Sequence, residues 1–166
     1  KLPHVLGVDP TGTVVALGDG VKHRKLGDRI CISSRRVVRK PGEPMHMLGI
    51  DSWGGYAQYV VLNENVTAPI PEAIDFHTAT VVARHAPLAF NQVRSKAQLK
   101  EGDWALVMGA AGGLGSIIVQ AAAFYGANII AAAGADERVE AAKKLGARHG
   151  INYRTQDLTG EVMKLT

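Results

Sequence analysis

The chain has 166 residues and a net charge of +4, with 46% apolar and 20% charged residues, the balance of a globular protein rather than a disordered one. No apolar run approaches the roughly 20 residues that a membrane helix needs, and the opening Lys1-Leu2-Pro3-His4-Val5 has no signal-peptide pattern. The one cysteine, Cys31, excludes an internal disulfide and a cysteine-rich zinc site; the scattered basic residues, clustered only at Arg35-Arg36 and Arg39-Lys40, lack the interleaved aromatics of a single-strand nucleic-acid surface.

The first half reads as β. Thr13-Val14-Val15-Ala16-Leu17 is β-prone and ends in the turn signal Gly18-Asp19-Gly20. Gly27-Asp28 leads into the short apolar run Arg29-Ile30-Cys31-Ile32, and residues 35–53 are loop-like, with Pro41, Gly42, Pro44 and Gly49. Tyr56-Ala57-Gln58-Tyr59-Val60-Val61-Leu62 is the clearest strand by its aromatic and β-branched content. Asp75 is placed to cap a helix through Thr78, Ala79 and Val82. Pro87 suits the first turn of a second helix through Phe90 and Val93.

The second half alternates strand and helix. Trp104-Ala105-Leu106-Val107-Met108 has no polar alternation and reads as a strand buried on both faces of a parallel sheet. A helix follows with apolar residues at Ile117, Ile118, Ala121, Ala122 and Tyr125, stopped by Gly126. Asn128-Ile129-Ile130-Ala131-Ala132-Ala133 is a second buried strand. Asp136 is expected to cap a third helix, with Glu137 in its first turn and Lys143 and Lys144 in its last, complementing the helix dipole. Gly146 ends it, and Ile151-Asn152-Tyr153 starts a third strand. The fold class is therefore α/β: a partial doubly wound parallel sheet preceded by a β-rich region. The absent initiator Met and the half-built sheet lead to the expectation of an internal piece of a longer chain, inactive by itself.

Between the first buried strand and its helix lies Gly109-Ala110-Ala111-Gly112-Gly113-Leu114-Gly115-Ser116. A pyrophosphate needs backbone N–H donors with no side chain in the way, and a helix start adds about half a positive charge. Gly112 fits the close-approach position and Gly115 the helix–strand packing position of a dinucleotide loop. Ala110 replaces the usual first glycine, giving A-x-G-x-x-G. NAD-binding units place an acid at the end of the second strand to hold the ribose 2′-OH. Here that strand ends Ala131-Ala132-Ala133-Gly134, and Asp136 and Glu137 come two or three residues later, where a helix begins. The missing acid, with Arg138 and the Tyr153-Arg154 pair near, favours the 2′-phosphate of NADPH over NADH.

These segments resemble the medium-chain dehydrogenase/reductase superfamily, in its zinc-independent quinone oxidoreductase branch. Gly7-Val8-Asp9, Gly12-Thr13-Val14-Val15, Gly18-Asp19-Gly20-Val21, Gly27-Asp28-Arg29-Ile30 and Gly54-Gly55-Tyr56-Ala57-Gln58-Tyr59-Val60 match its chaperonin-10-like domain, as does Ile70-Pro71-Glu72. The glycine loop, Gln120, Gly126-Ala127, Leu145-Gly146-Ala147 and Ile151-Asn152-Tyr153 match its cofactor domain. The resemblance implies a partial chaperonin-10-like catalytic domain over residues 1–85 and the N-terminal half of a Rossmann dinucleotide-binding domain over 86–166. It implies hydride transfer from a nicotinamide, with Ala111, Gly112, Gly113 and Leu114 at the pyrophosphate and Gly134, Arg138 and Tyr153 around the 2′-phosphate. A cytoplasmic homodimer or homotetramer acting on a small-molecule substrate, with no membrane or nucleic-acid partner, is expected.

The departures bear on metal. Zinc alcohol dehydrogenases carry a His-Glu pair where this chain has Val8-Asp9, and a cysteine ligand about where it has Arg84. One Cys and dispersed His residues, among them His4, His23, His46, His77 and His149, do not make a tetrahedral zinc site, so no zinc is expected. Arg84 and His85 are candidates to touch an acidic substrate or protonate a product. The expected function is zinc-free reduction of an electron-poor C=C or C=O bond of a quinone, enal or enone. The alternatives are an enoyl-thioester (acyl-CoA) reductase using the basic loop at 35–40, a zinc-type alcohol dehydrogenase, and a non-catalytic NADPH-binding or RNA-binding protein on the same fold.

Overall fold

The computed structural model describes residues 2–32 and 47–166; the basic cluster at 35–40 and His46 lie outside the described residues. Two compact units are present, Lys1–Arg84 and His85–Thr166.

In the first unit, β1 (Thr11–Thr13), β2 (Arg29–Ile32) and β3 (Thr67–Pro69) form an antiparallel sheet in the order β1-β2-β3. Cys31 pairs with Thr11 on one side and with Ala68 on the other. Its side chain is buried with Ile70 and Ala79, and Ala68, Ile74, Phe76 and Ala83 pack against that cluster. Arg29 ties the sheet to the following turn. Its guanidinium donates to the carbonyls of Pro71, Glu72 and Ile74 and stacks 4.7 Å over the Phe76 ring, satisfying polar groups that would otherwise stay unpaired. Asp75 does cap helix α1 (Phe76–Phe90): its carboxylate accepts from the Thr78 N–H at 2.9 Å and from the Thr78 hydroxyl at 2.7 Å. Those bonds hold the Asp75 carboxyl below the ordinary aspartate range, the Thr78 N–H contributing most.

Three expectations for this region fail. The strand expected at 13–17 is the shorter, earlier β1. Residues 56–62 form no strand: the chain bonds back through Gly54, Gly55 and Tyr56 to the carbonyls of Val5, Gly7 and Leu6, beyond them no ladder forms among the described residues, and Tyr59 and Val61 stand exposed. Propensity without a partner does not make a strand. Pro87 does not start a second helix either. It lies inside α1, where its missing N–H forfeits one helical bond, and the chain runs on into a π-helical turn over Asn91–Lys96.

The second unit follows the expected alternation. β4 (Trp104–Met108), β5 (Asn128–Ala133) and β6 (His149–Asn152) are parallel in the order β4-β5-β6, with α2 (Gly113–Phe124) and α3 (Asp136–Lys144) as crossovers and α4 (Leu158–Leu165) after β6. The core gathers Val107, Val119, Ala122, Ile129, Ala131 and Ala142. Only β5, the central strand, is buried nearly throughout. Burial alternates along β4, with Trp104, Leu106 and Met108 exposed and Val107 buried, so the strand is covered on one face rather than on both as expected. Gly126 and Gly146 take φ values of +75° and +118° where α2 and α3 stop, as helix-ending glycines do. Ala135, not Asp136, is the residue before α3, and Asp136 is the first residue within it. Asp136 has another partner: its carboxylate accepts from the Asn152 amide at 2.7 Å. Among the described residues no helix is long and apolar enough to cross a membrane.

Because the Asp75 carboxyl is lowered in the fold, its cap contributes above the ordinary aspartate value of about 3.8 and is lost as pH falls through the lower folded value. The melting-temperature deficit of Asp75→Ala relative to the unmodified chain is therefore expected to shrink as the pH is taken from about 6 to about 2. Thermal scans at each pH measure it, and Asp75→Asn, which keeps an acceptor, is expected to melt above Asp75→Ala at neutral pH.

Candidate functional site

The glycine loop is built by two close approaches. After β4, Gly109 turns the chain at φ +61°, and the Gly112 N–H donates back to the Gly109 carbonyl at 2.8 Å. The Ala110 N–H donates to the Ala132 carbonyl of β5 at 3.1 Å, tying the loop to the central strand. A Cβ on Gly115 would run into the Gly109 carbonyl, and one on Gly112 would lie 3.1 Å from the same oxygen. Gly115 is thus the packing glycine, as its position in the motif predicts. The departure at Ala110 is harmless: the left-handed conformation falls one residue earlier, on Gly109, and Ala110 is buried with an ordinary backbone.

The helix then starts with donors to spare. Gly112 precedes α2 and has no side chain to cap it, and the first intrahelical bond runs from the Ser116 N–H to the Gly112 carbonyl. Helix geometry leaves the N–H groups of Gly113, Leu114 and Gly115 without an intrahelical acceptor. One sequence expectation shifts here: Gly112 offers surface but not its amide, which is spent on Gly109, while the amide of Gly115 joins those of Gly113 and Leu114. Ala111 is half-buried and Gly113 exposed. The nearest atom to a Cβ on Gly113 would be Nε2 of His85, at 3.7 Å, so His85 borders the helix start.

A second group of residues gathers where the next two strands end. β4, β5 and β6 are parallel, so the turns that follow them share one sheet edge. Gly134 follows β5 and Tyr153 follows β6. A Cβ on Gly134 would lie 3.0 Å from the Tyr153 hydroxyl and 3.2 Å from Nε of Arg154. Gly134 and Tyr153 are thus neighbours; Arg138 is exposed on α3 and is absent from the nearest atoms around Gly134. Arg154, which the sequence reading named only as part of the Tyr153-Arg154 pair near the 2′-phosphate, is the basic neighbour of Gly134.

Arg84 belongs to the first unit and is already paired: Nη1 lies 3.1 Å from Oδ1 of Asp9, both side chains partly exposed. An open cavity of about 900 Å³ in the first unit, lined by Thr11, Val15, Gln58 and Tyr59 among others, includes none of the expected site residues.

Comparison with known proteins decides the family. The alcohol dehydrogenase GroES-like domain model matches residues 1–72, and the zinc-binding dehydrogenase model matches residues 113–166. The chain belongs to the medium-chain dehydrogenase/reductase superfamily and is quinone-oxidoreductase-like. It is 30% identical to quinone oxidoreductase 1 of Escherichia coli (strain K12), over 100% of this chain and 46% of that protein. The solved structure of an NAD-dependent alcohol dehydrogenase superposes with a TM-score of 0.89 at 36% identity, covering 100% of this chain and 51% of the other. That of an Escherichia coli quinone oxidoreductase complexed with NADPH gives 0.80 at 30% identity, covering 99% and 45%. The chain spans about half the length of the curated relatives it matches, 42–49% of each.

The residues suit the family's two candidate groups differently. The bare helix start and the open corner beside Gly134 fit a dinucleotide phosphate chain. Where the resemblance would put zinc ligands the chain has Val8, Asp9 and Arg84, and a guanidinium bound to the one carboxylate offers no lone pair to a metal. Those residues do not fit zinc, and among the described residues no three His, Cys, Asp or Glu side chains converge.

Gly115→Ala is expected to cost about 1–3 kcal/mol of stability, because the added methyl must push the helix start off the Gly109 carbonyl. It is expected to weaken nucleotide binding at the same time. Denaturant unfolding and a nucleotide titration on the same sample measure both effects.

Proposed function

We propose that the protein is an NADPH-dependent oxidoreductase that reduces an electron-poor C=C or C=O bond, of a quinone, an enal or an enone, by hydride transfer without zinc. The observation that carries this reading is the uncapped start of α2 together with the corner at Gly134 and Tyr153, where Arg154 stands and Asp136 is already bonded to Asn152. When bound, the reduced nicotinamide supplies the hydride. The chain's own part is to hold it: the amides of Gly113, Leu114 and Gly115 face its diphosphate, the bare Gly112 lets it approach, and Gly134, Arg138 and Tyr153 surround the adenosine ribose. His85, at the helix start, borders the bound cofactor, and the Arg84–Asp9 pair replaces a metal's charge at the family's zinc position.

NADH is the second reading, and one observation favours it: the structure that superposes at a TM-score of 0.89 is that of an NAD-dependent alcohol dehydrogenase. The enoyl-thioester alternative rests on the basic loop at 35–40, which lies outside the described residues.

Steady-state kinetics on the full-length protein with quinones, enals, enones and enoyl thioesters test the reading. A kcat/KM at least about tenfold higher with NADPH than with NADH is expected, the size of one charge-assisted hydrogen bond to a 2′-phosphate. Turnover is expected to survive dialysis against a chelator. A preference for NADH overturns the nucleotide assignment, and chelator-sensitive turnover overturns the zinc-free mechanism.

A further inference from the structure

The corner where β5 and β6 end holds a cation that the diphosphate site does not use. We infer that Arg154 is the residue that selects a 2′-phosphate on the adenosine ribose, and that Asn152 is the positioning residue that puts it there. The inference rests on the reading of this chain as a nicotinamide-nucleotide binder and adds to it a specificity residue in place of Arg138.

The geometry begins at Gly134. With no side chain there, the Tyr153 hydroxyl and Nε of Arg154 both border the space a methyl would fill, 3.0 and 3.2 Å from its centre. A phenol O–H and a guanidinium beside an open gap make a donor pair suited to an anion. Arg154 is exposed, and among the described residues its side chain makes no hydrogen bond or ion pair; only its backbone N–H is engaged. Arg138 is not among the three atoms nearest that gap.

Asn152 explains why Arg154 stands there. It is 5% exposed and commits its polar groups to the corner. Its side-chain oxygen accepts from the Arg154 N–H at 3.1 Å. Its backbone N–H donates to the Gln156 side chain at 2.8 Å, and its carbonyl accepts from the N–H groups of Thr155 and Gln156 at 3.1 and 2.9 Å. These bonds fix the turn that carries Tyr153 and Arg154. The remaining donor, the Asn152 amide, goes to the Asp136 carboxylate. The acid that a ribose 2′-OH would seek is therefore partnered, while the cation that a 2′-phosphate would seek is not. A neutral hydroxyl gains little from a guanidinium, whereas a phosphate gains a charge-assisted bond.

Calorimetric titration of the full chain with adenosine 2′,5′-bisphosphate and with AMP tests this, because neither probe carries a nicotinamide and activity plays no part in the readout. The unmodified chain is expected to bind the bisphosphate more tightly. Arg154→Gln is expected to cut bisphosphate affinity about tenfold or more while changing AMP affinity far less. Arg154→Lys is expected to recover part of the loss, and Arg138→Gln to cost less than Arg154→Gln. A bisphosphate preference that survives Arg154→Gln overturns the role of Arg154 and leaves the nucleotide reading standing. Binding of neither probe overturns that reading, and this inference with it. The circular dichroism of each variant checks that the exposed substitution leaves the fold intact.

Discussion

The contact between Gly115 and the Gly109 carbonyl fixes how closely α2 can be set against the end of β4. Any side chain at 115 would hold the helix start away from the strand. Brought this close, the helix presents its first-turn amides at the sheet edge with no side chain across them. The attraction such a helix start offers an anion is modest, about 0.3–1 kcal/mol at an exposed site. It is indifferent to which dinucleotide carries the phosphates. Discrimination has to come from a full charge elsewhere on the same edge, where one charged hydrogen bond is worth about 1.5–3 kcal/mol.

The parallel sheet supplies that second position without further invention. Each strand delivers its following turn to the same edge, so the glycine loop, Gly134 and the Tyr153–Arg154 turn are set in a row by topology. Side-chain bonds then decide what each turn offers. Asn152 spends one amide on neutralising the appetite of Asp136 and its carbonyl groups on shaping the Arg154 turn. The same economy marks Asp9 and Arg84 in the first unit, where carboxylate and guanidinium satisfy one another.

The second unit was far more legible in sequence than the first, for a physical reason. In a βαβ run each element's burial is set by local pattern and punctuation, so β5 and the stops at Gly126 and Gly146 stand where composition put them. What failed there was non-local: β4 has an apolar sequence but is covered on only one face, and Asp136 looked like a cap because nothing in its own segment reveals Asn152, sixteen residues on. The first unit depends on pairings between distant segments. Residues 56–62 carry strand propensity and find no partner among the described residues, while the ladders that form join Thr11, Cys31 and Ala68. Of the candidate site, the glycine loop was legible as a motif, Gly134 and Tyr153 came only from the family resemblance, and Arg154 was in view only as the residue after Tyr153. The inward turn of the Gly112 amide and the distance of Arg154 from Gly134 were not legible, since both are set in three dimensions.

The burial of Cys31 has a practical side. Its thiol sits in the middle strand of the first sheet, within 3.6 Å of the Ala68 carbonyl, and burial pushes its pKa up. A thiol kept protonated and out of solvent is a poor nucleophile. The chain's one cysteine is thus chemically quiet while the fold holds, which makes the protein a ready background for spin or fluorophore labels at introduced surface cysteines, and makes the onset of Cys31 alkylation a reporter of the first unit opening.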